Sequence, residues 1–292
     1  MIRQVFKLII LIIISAGFAQ YSLAGERVSV FVSIPPQKYF VQQIGGSQVA
    51  VRVMVRPGAD PHTYEPKPQQ MVALSTAKLY FAIGIEFEAA RLDKIISANP
   101  RIKVIHTEQG IRKIPMAAHR HSRKDIPRAH NGLDPHIWLS PPLVMTQART
   151  ILEALKTVDP ANRVNYETNY KAFIARLENL DQELRDIFRG RRGLRFMVLH
   201  PSWGYFADAY GLKQVPIELE GKKPGPSSLK ALIEYARENN IKVIFVQPQF
   251  SPESAKLIAK EIGGEVAFVD PLAENWLANL RTVAGKFMAA LK

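Results

Sequence analysis

Short apolar segments with the character of β-strands alternate with helical segments along most of this chain. In the first half, β-forming runs predict strands at residues 27–33, 48–55, 79–83 and 103–106, separated by helices at residues 37–44, 68–76 and 86–97. The second half repeats the pattern, with strands at residues 195–199, 213–219, 242–247 and 265–269 and helices at residues 203–210, 228–239, 252–262 and 276–291. Strands that alternate with helices at this spacing form parallel βαβ units. We therefore predict an α/β fold with two Rossmann-like lobes of mostly parallel sheet.

A single long helix is predicted between the two lobes. Apolar residues recur three or four positions apart from Phe173 to Phe188, and neither proline nor glycine occurs between Asn162 and Gly190. This pattern predicts one amphipathic helix of about 27 residues, roughly 40 Å long at 1.5 Å per residue. The predicted domains are an N-terminal lobe at residues 25–160, a rigid linker helix at residues 161–189 and a C-terminal lobe at residues 190–292.

The N-terminal segment has the order of features that is typical of a secretory signal. Arg3 and Lys7 precede an apolar run at residues 8–18, and small residues follow up to Ala24. This predicts a signal peptide at residues 1–24, which is too short and wrongly flanked to remain as a membrane anchor. The chain contains no cysteine, so we expect neither a disulfide nor a lipid anchor. We expect a soluble protein in the periplasm of a Gram-negative cell.

The net charge of +13 raises the question of an acidic partner. Basic residues are spread along the predicted helices, and no cluster of basic and aromatic residues recurs. Nucleic-acid binding proteins concentrate such residues on one face. We therefore expect no nucleic-acid partner, and we expect a monomer with a generally cationic surface.

Four potential metal ligands are the main candidates for a functional site. His62, His200 and Asp270 follow predicted strands, and His136 follows an irregular segment. In parallel sheets, ligands bind at the carboxyl ends of the strands, where the loops converge. Three imidazoles and one carboxylate can complete a four-coordinate shell that suits zinc. Each ligand also has a proline neighbour that stiffens its loop: Pro61, Pro135, Pro201 and Pro271.

Each of these residues has a plainer explanation when it is taken alone. A histidine near an aromatic residue such as Trp138 is more often packed or at the surface than bound to a metal, and an aspartate before a proline is commonly a turn residue. His106 is interpreted in this plainer way. The prediction of a metal site rests on the joint placement of four donors at one edge.

Residues 116–131 interrupt the alternation of strands and helices and are predicted to form a mobile loop. The loop holds His119, His121 and His130 among basic residues, so it either captures metal weakly or is inert. Three carboxylates are candidates to orient the ligating imidazoles by accepting hydrogen bonds from them: Glu65, Glu86 and Glu88.

Four stretches of sequence resemble a known family. They are residues 57–66 (PGADPHTYEP), 134–141 (DPHIWLSP), 200–206 (HPSWGYF) and 268–272 (FVDPL). They resemble the metal-binding solute receptors of bacterial ABC transporters, the ZnuA-like zinc and manganese receptors of cluster A-I. The resemblance covers nearly the whole chain after residue 24.

The resemblance implies two α/β lobes joined by a rigid helix, with a metal ion held between them as transported cargo. It places the ligands at His62, His136, His200 and Asp270. Relatives that prefer manganese carry glutamate at the place of His200, so histidine there implies zinc. The implied partners are a membrane permease, which would be the only membrane contact, and a cytoplasmic ATPase. A third imidazole independently favours zinc over manganese.

Several alternatives stay open at this point. Manganese, iron or copper are possible cargoes of the same kind of site. A zinc hydrolase would need an open position for water, but Asp270 is available to fill it and no His-Glu-x-x-His helix occurs. Glu218 and Glu220 are its candidate general bases, although a strand end before a turn explains them as well. A surface adhesin is a third alternative. We predict a binding protein with no catalytic residues.

Overall fold

The computed structural model describes residues 26–61, 63–117, 132–218 and 223–291. These residues form two lobes, each built on a four-stranded sheet whose strands are all parallel. The signal peptide predicted at residues 1–24 lies outside the described residues. The same is true of most of the loop predicted at residues 116–131, including its three histidines. Both stay predictions.

The first lobe contains the elements that the apolar patterns predicted. Its strands follow the spatial order β2-β1-β3-β4 and are β1 (Val28–Val32), β2 (Val49–Val53), β3 (Leu79–Ala82) and β4 (Lys103–His106). Its helices are α1 (Pro35–Gly45), α2 (Pro68–Leu74) and α3 (Glu86–Ala98). Because β1 and β3 are neighbours, the strand order reverses between them, and such a switch point opens a crevice at the carboxyl ends of the strands.

Two further helices follow the first lobe and connect it to the second. The first is α4 (Pro141–Val158), which was not predicted from the sequence. It begins at a pair of prolines, whose missing N–H groups would have no partner in the first turn of a helix in any case. The second is the long helix α5 (Arg163–Ile187), which has 25 residues, lies where the apolar spacing predicted it and packs against α4.

The second lobe repeats the topology of the first in the order β6-β5-β7-β8. Its strands are β5 (Arg195–Val198), β6 (Lys213–Pro216), β7 (Val243–Val246) and β8 (Glu265–Phe268). The switch point of this sheet therefore lies between β5 and β7. Its helices are α6 (Gly204–Ala209), α7 (Pro226–Glu238), α8 (Glu253–Ile262) and α9 (Trp276–Ala290).

One hydrophobic core extends through both lobes. Along β5, Phe196 and Val198 belong to this central core, whereas Met197 and Leu199 belong to a second core on the opposite face of the sheet. Successive side chains of a strand point to opposite faces, so this alternation places the second sheet between two apolar layers. The central core also includes Trp276 of α9, whose indole packs against Tyr39 and Phe40 of the first lobe.

The predicted fold class is confirmed, since two α/β lobes with parallel sheets are joined by a long helix. Among the described residues, none of the helices combines the length and the apolar character that crossing a bilayer requires.

Candidate metal centre

A small cavity lies between the two lobes. Residues that follow strand ends in both sheets line it, including Ile85 and Glu86 after β3 and His200 after β5. His136 and Trp138 also line it from the first lobe. The cavity measures about 30 Å³, far below the roughly 300–1,000 Å³ of pockets that take drug-sized ligands. Its size suits a single ion better than an organic molecule.

His136 is held in a fixed orientation by the aspartate two residues before it. The imidazole Nδ1 lies 2.7 Å from Oδ1 of Asp134, and the backbone N–H of His136 donates to the same oxygen at 2.9 Å. Both side chains are buried. A carboxylate that accepts from Nδ1 fixes the tautomer, so that Nε2 carries the lone pair for a metal.

Asp134 is also a contact point between the lobes. Its backbone carbonyl accepts a hydrogen bond from the hydroxyl of Tyr205 at 2.8 Å. Its carboxylate lies so close to Gly204, at the start of α6, that a Cβ atom at residue 204 would overlap with Oδ2. The glycine therefore permits the close approach of the loop that carries His136. Asp134 was not identified from the sequence, although its place in the Asp134-Pro135-His136 motif was a usable signal.

His200 lies opposite His136 across the boundary between the lobes. The two imidazole centroids are 5.4 Å apart, and only 5% of each residue is exposed. The ring of Phe250 stacks on His200, with a centroid distance of 4.8 Å and an interplanar angle of 25°. The side chain of Gln247 bonds to the backbone of His200 through both amide atoms, at 3.2 Å to N and 2.6 Å to O.

Asp270 lies at the end of β8 and is partly buried. Its Oδ1 accepts hydrogen bonds from Nε2 of Gln249 at 2.8 Å and from the backbone N–H of Leu272 at 2.9 Å. Leu272 and Gln249 line the cavity, whereas Asp270 is not among the described residues that do. Within the described parts of the chain, no three His, Asp or Glu side chains form a group that could hold a metal.

The structure thus brings two of the four predicted ligands together, His136 and His200. His62 lies outside the described residues, although its neighbour Pro61 lines the cavity. The assignment of all four ligands stays a prediction.

The three carboxylates predicted to orient the imidazoles have different surroundings. Glu65 forms an ion pair with Arg91. Glu88 is buried beside Ser33 and the backbone N–H groups of Ile83 and Gly84, and its burial is the main cause that raises its pKa. Glu86 lines the cavity itself.

The remaining singled-out residues lie away from this arrangement or outside the described residues. His106 lies at the end of β4, and 49% of its side chain is exposed. Its Nδ1 lies 2.9 Å from Oε1 of Glu108, so it is a surface histidine. Glu218 is buried after β6. Glu220 and the histidines of the loop at residues 116–131 are not among the described residues.

Comparison with known proteins shows which family shares this architecture. Residues 30–290 match the sequence profile of the ZnuA family, described as "Zinc-uptake complex component A periplasmic". The chain is 29% identical over 254 residues to the "High-affinity zinc uptake system protein ZnuA" of Bacillus subtilis (strain 168), and the match covers 85% of this chain and 79% of that protein.

Solved structures are similar over nearly the same range. A crystal structure of a ZnuA deletion mutant with zinc bound has a TM-score of 0.85 and 47% identity, and the match covers 91% of this chain and 99% of that one. A manganese-bound point mutant of a periplasmic metal-binding protein from Candidatus Liberibacter asiaticus has a TM-score of 0.77. It is 23% identical, with coverage of 91% and 100%, and at that identity it shows the shared fold alone.

The family match accounts for the fold. Members of the family are metal-binding substrate receptors of transport systems that act outside the cytoplasm, and they are not enzymes. Because the match spans almost the whole chain, this protein belongs to the ZnuA family of metal-binding receptors.

Proposed function

We propose that this receptor captures one zinc ion in the periplasm and delivers it to the permease of an ABC importer with a cytoplasmic ATPase. The observation that carries the proposal is the facing pair of buried imidazoles, His136 and His200. With Zn–N bonds of about 2.0 Å and tetrahedral angles, the centroids of two zinc-bound imidazoles lie about 5.2 Å apart. The distance here is 5.4 Å.

The proposed ligands are His62, His136, His200 and Asp270. His136 and His200 reach the cavity from opposite lobes, and Pro61 supports the inclusion of its neighbour His62 because it lines the same cavity. Three imidazoles with one carboxylate favour zinc, whereas additional oxygen ligands favour manganese. A manganese or iron receptor of the same family is the second candidate.

The oxygen ligand has two candidates. Asp270 is proposed because its loop, through Leu272, lines the cavity. Glu86 is the alternative because it lines the cavity directly. Separate Asp270→Ala and Glu86→Ala variants distinguish them, since only loss of the true ligand lowers the zinc affinity strongly.

A competition experiment tests the proposed cargo. Metal-free protein is titrated with zinc and manganese against a chelating dye, and bound metal is counted by elemental analysis. We expect one zinc per chain and a clear preference for zinc. His136→Ala and His200→Ala should each abolish tight binding, whereas His106→Ala, which changes an exposed histidine, should not. A chain that binds no zinc, or prefers manganese, contradicts the proposal.

The proposed location and organisation follow from the same reasoning. Residues 1–24 direct export, residues 25–160 and 190–292 form the two lobes, and residues 161–189 join them in a monomer. Recovery of the protein in the osmotic-shock fraction of its cells tests the location. Retention in the cytoplasm would contradict it.

A further inference from the structure

The segment that follows β7 contacts both proposed ligands of the second lobe. It consists of Gln247, Pro248, Gln249 and Phe250, and we refer to residues 247–250 as the amide segment. It lies beside the switch point between β5 and β7, where His200 also lies. This position gives one short segment access to both donors.

Two residues of the amide segment hold His200. Gln247 is fully buried, and its amide accepts from the backbone N–H and donates to the backbone carbonyl of His200. Phe250 stacks on the imidazole. The backbone and the ring of His200 are therefore fixed by separate contacts from the same segment.

Gln249 acts on Asp270. Its Nε2 donates to Oδ1 of the carboxylate, and the backbone N–H of Leu272 donates to the same oxygen. Among the described residues, both hydrogen bonds to this carboxylate are thus accepted by Oδ1. The carboxylate of Asp270 determines which way the amide of Gln249 points. If the amide were flipped, its carbonyl oxygen would face the negatively charged carboxylate and the two would repel each other.

We propose that Gln249 is a positioning residue that limits Asp270 to coordination through a single oxygen. This inference rests on the proposed function, in which Asp270 is a ligand. With Oδ1 engaged by two N–H groups, Oδ2 is the oxygen left to bind the ion. One carboxylate oxygen with three imidazoles gives the four-coordinate shell of zinc. Manganese needs more oxygen ligands, so the same restraint disfavours it.

The test compares Gln249→Leu with a matched control, Gln182→Leu. Gln182, on α5, also donates from Nε2 to an aspartate, Asp186, at 3.2 Å, but it is exposed and lies outside the cavity lining. We expect Gln249→Leu to weaken zinc binding by about 10- to 100-fold, as loss of a partner of a metal ligand does. The affinity for manganese should fall less, so the preference for zinc over manganese becomes smaller. The control should change neither.

Cobalt(II) gives a direct measure of coordination. Protein with its wild-type sequence, loaded with cobalt, should show the intense visible absorption of a four-coordinate ion, and Gln249→Leu should weaken this absorption as coordination number rises. Gln249→Glu, which keeps the size of the side chain but removes its donors, should act in the same direction. If the folded variants keep both the cobalt spectrum and the preference for zinc of the unsubstituted protein, the inference is wrong.

A double-mutant cycle separates this inference from the proposed function. If Gln249 acts through Asp270, the effect of Gln249→Leu on zinc affinity disappears in the Asp270→Ala background. Additive effects overturn the positioning role. If Asp270→Ala alone leaves zinc binding unchanged, the inference is wrong while the zinc receptor stands. Absence of zinc binding by the unsubstituted protein instead contradicts the proposed function.

Discussion

The indole N–H of Trp276 donates a hydrogen bond to the backbone carbonyl of Trp138 at 2.7 Å. The indole of Trp138 donates in turn to the carbonyl of Pro271 at 2.8 Å. Trp138 is two residues from His136, and Pro271 is next to Asp270. Two buried hydrogen bonds thus tie the loop of a proposed ligand in the first lobe to that of a proposed ligand in the second.

Loss of one of these bonds should destabilise the protein beyond the loss of packing. Trp276→Phe removes the indole N–H and leaves the buried carbonyl of Trp138 without a hydrogen-bond donor. This should lower the free energy of unfolding by about 1–3 kcal/mol. Trp203→Phe is the matched control, because Trp203 is equally buried and its indole N–H has no acceptor among the described residues. Urea unfolding should show that Trp276→Phe lowers the free energy of unfolding by about 1–3 kcal/mol more than Trp203→Phe does. Equal losses would show that the hydrogen bond contributes nothing.

The close approach at Gly204 gives a second prediction. Gly204→Ala places a Cβ atom against the carboxylate of Asp134, which must move together with His136. We expect a loss of about 1–3 kcal/mol in the free energy of unfolding, together with weaker zinc binding. Chemical denaturation and zinc titration measure the two effects.

Gly285→Ala is the control for that substitution. It lies within α9, and a Cβ atom there would meet nothing within 4 Å. Alanine should therefore stabilise the helix by about 0.5–1 kcal/mol and leave zinc binding unchanged. If Gly204→Ala behaved like Gly285→Ala, the proposed crowding at Asp134 would be wrong.

Asp134 should control zinc affinity without contacting the ion. Asp134→Asn keeps the size of the side chain but replaces the anionic acceptor of His136, so we expect zinc affinity to fall by about 10- to 100-fold. Asp159→Asn is the control, since Asp159 accepts hydrogen bonds from Tyr166 at 2.6 Å and from Asn162 at 2.8 Å, neither of which is a proposed ligand. Competition with a chelating dye measures both variants. A similar affinity for the two would rule out an orienting role of Asp134.

The buried carboxyl of Glu88 predicts a dependence of stability on pH. Burial raises its pKa in the folded protein, against the opposing hydrogen bonds from Ser33, Ile83 and Gly84. The folded state then binds a proton more tightly than the unfolded chain, so this group contributes most stability below its unfolded pKa of about 4.3. Its contribution is lost as pH rises through the higher pKa of the folded state.

Glu88→Gln removes this titration. The free energy of unfolding of the unsubstituted protein, minus that of the variant, should fall as pH rises above about 4.3. The comparison cancels groups that titrate equally in both proteins. Denaturation curves at a series of pH values measure the difference. A difference that stays constant across the series would contradict a raised pKa at Glu88.

The alternating elements could be predicted well because strands and helices leave different apolar periods in the sequence. β4 and α5 lie within one or two residues of their predicted bounds. Helix α4 was missed even though its buried residues Val144, Ala148, Ile151 and Leu155 recur three or four positions apart. The apolar spacing of an amphipathic helix is thus present in this segment.

The surroundings of the candidate ligands were beyond the reach of sequence patterns. Gln247 and Gln249 lie far along the chain from His200 and Asp270, and hydrogen-bond partners at such separation depend on how the strands are ordered in space. The same holds for the contact of Gly204 with Asp134, which joins two lobes. Local periodicity carries no information about contacts of this kind.

The membership of Trp276, Leu280 and Phe287 in the central core affects how the chain acquires its structure. Of these residues, Trp276 packs against Tyr39 and Phe40 of the first lobe, which is completed more than a hundred residues earlier in the sequence. A nascent chain that still lacks α9 leaves that apolar surface open to water, which is unfavourable. The first lobe therefore reaches its full packing only after the last helix of the chain has been synthesised.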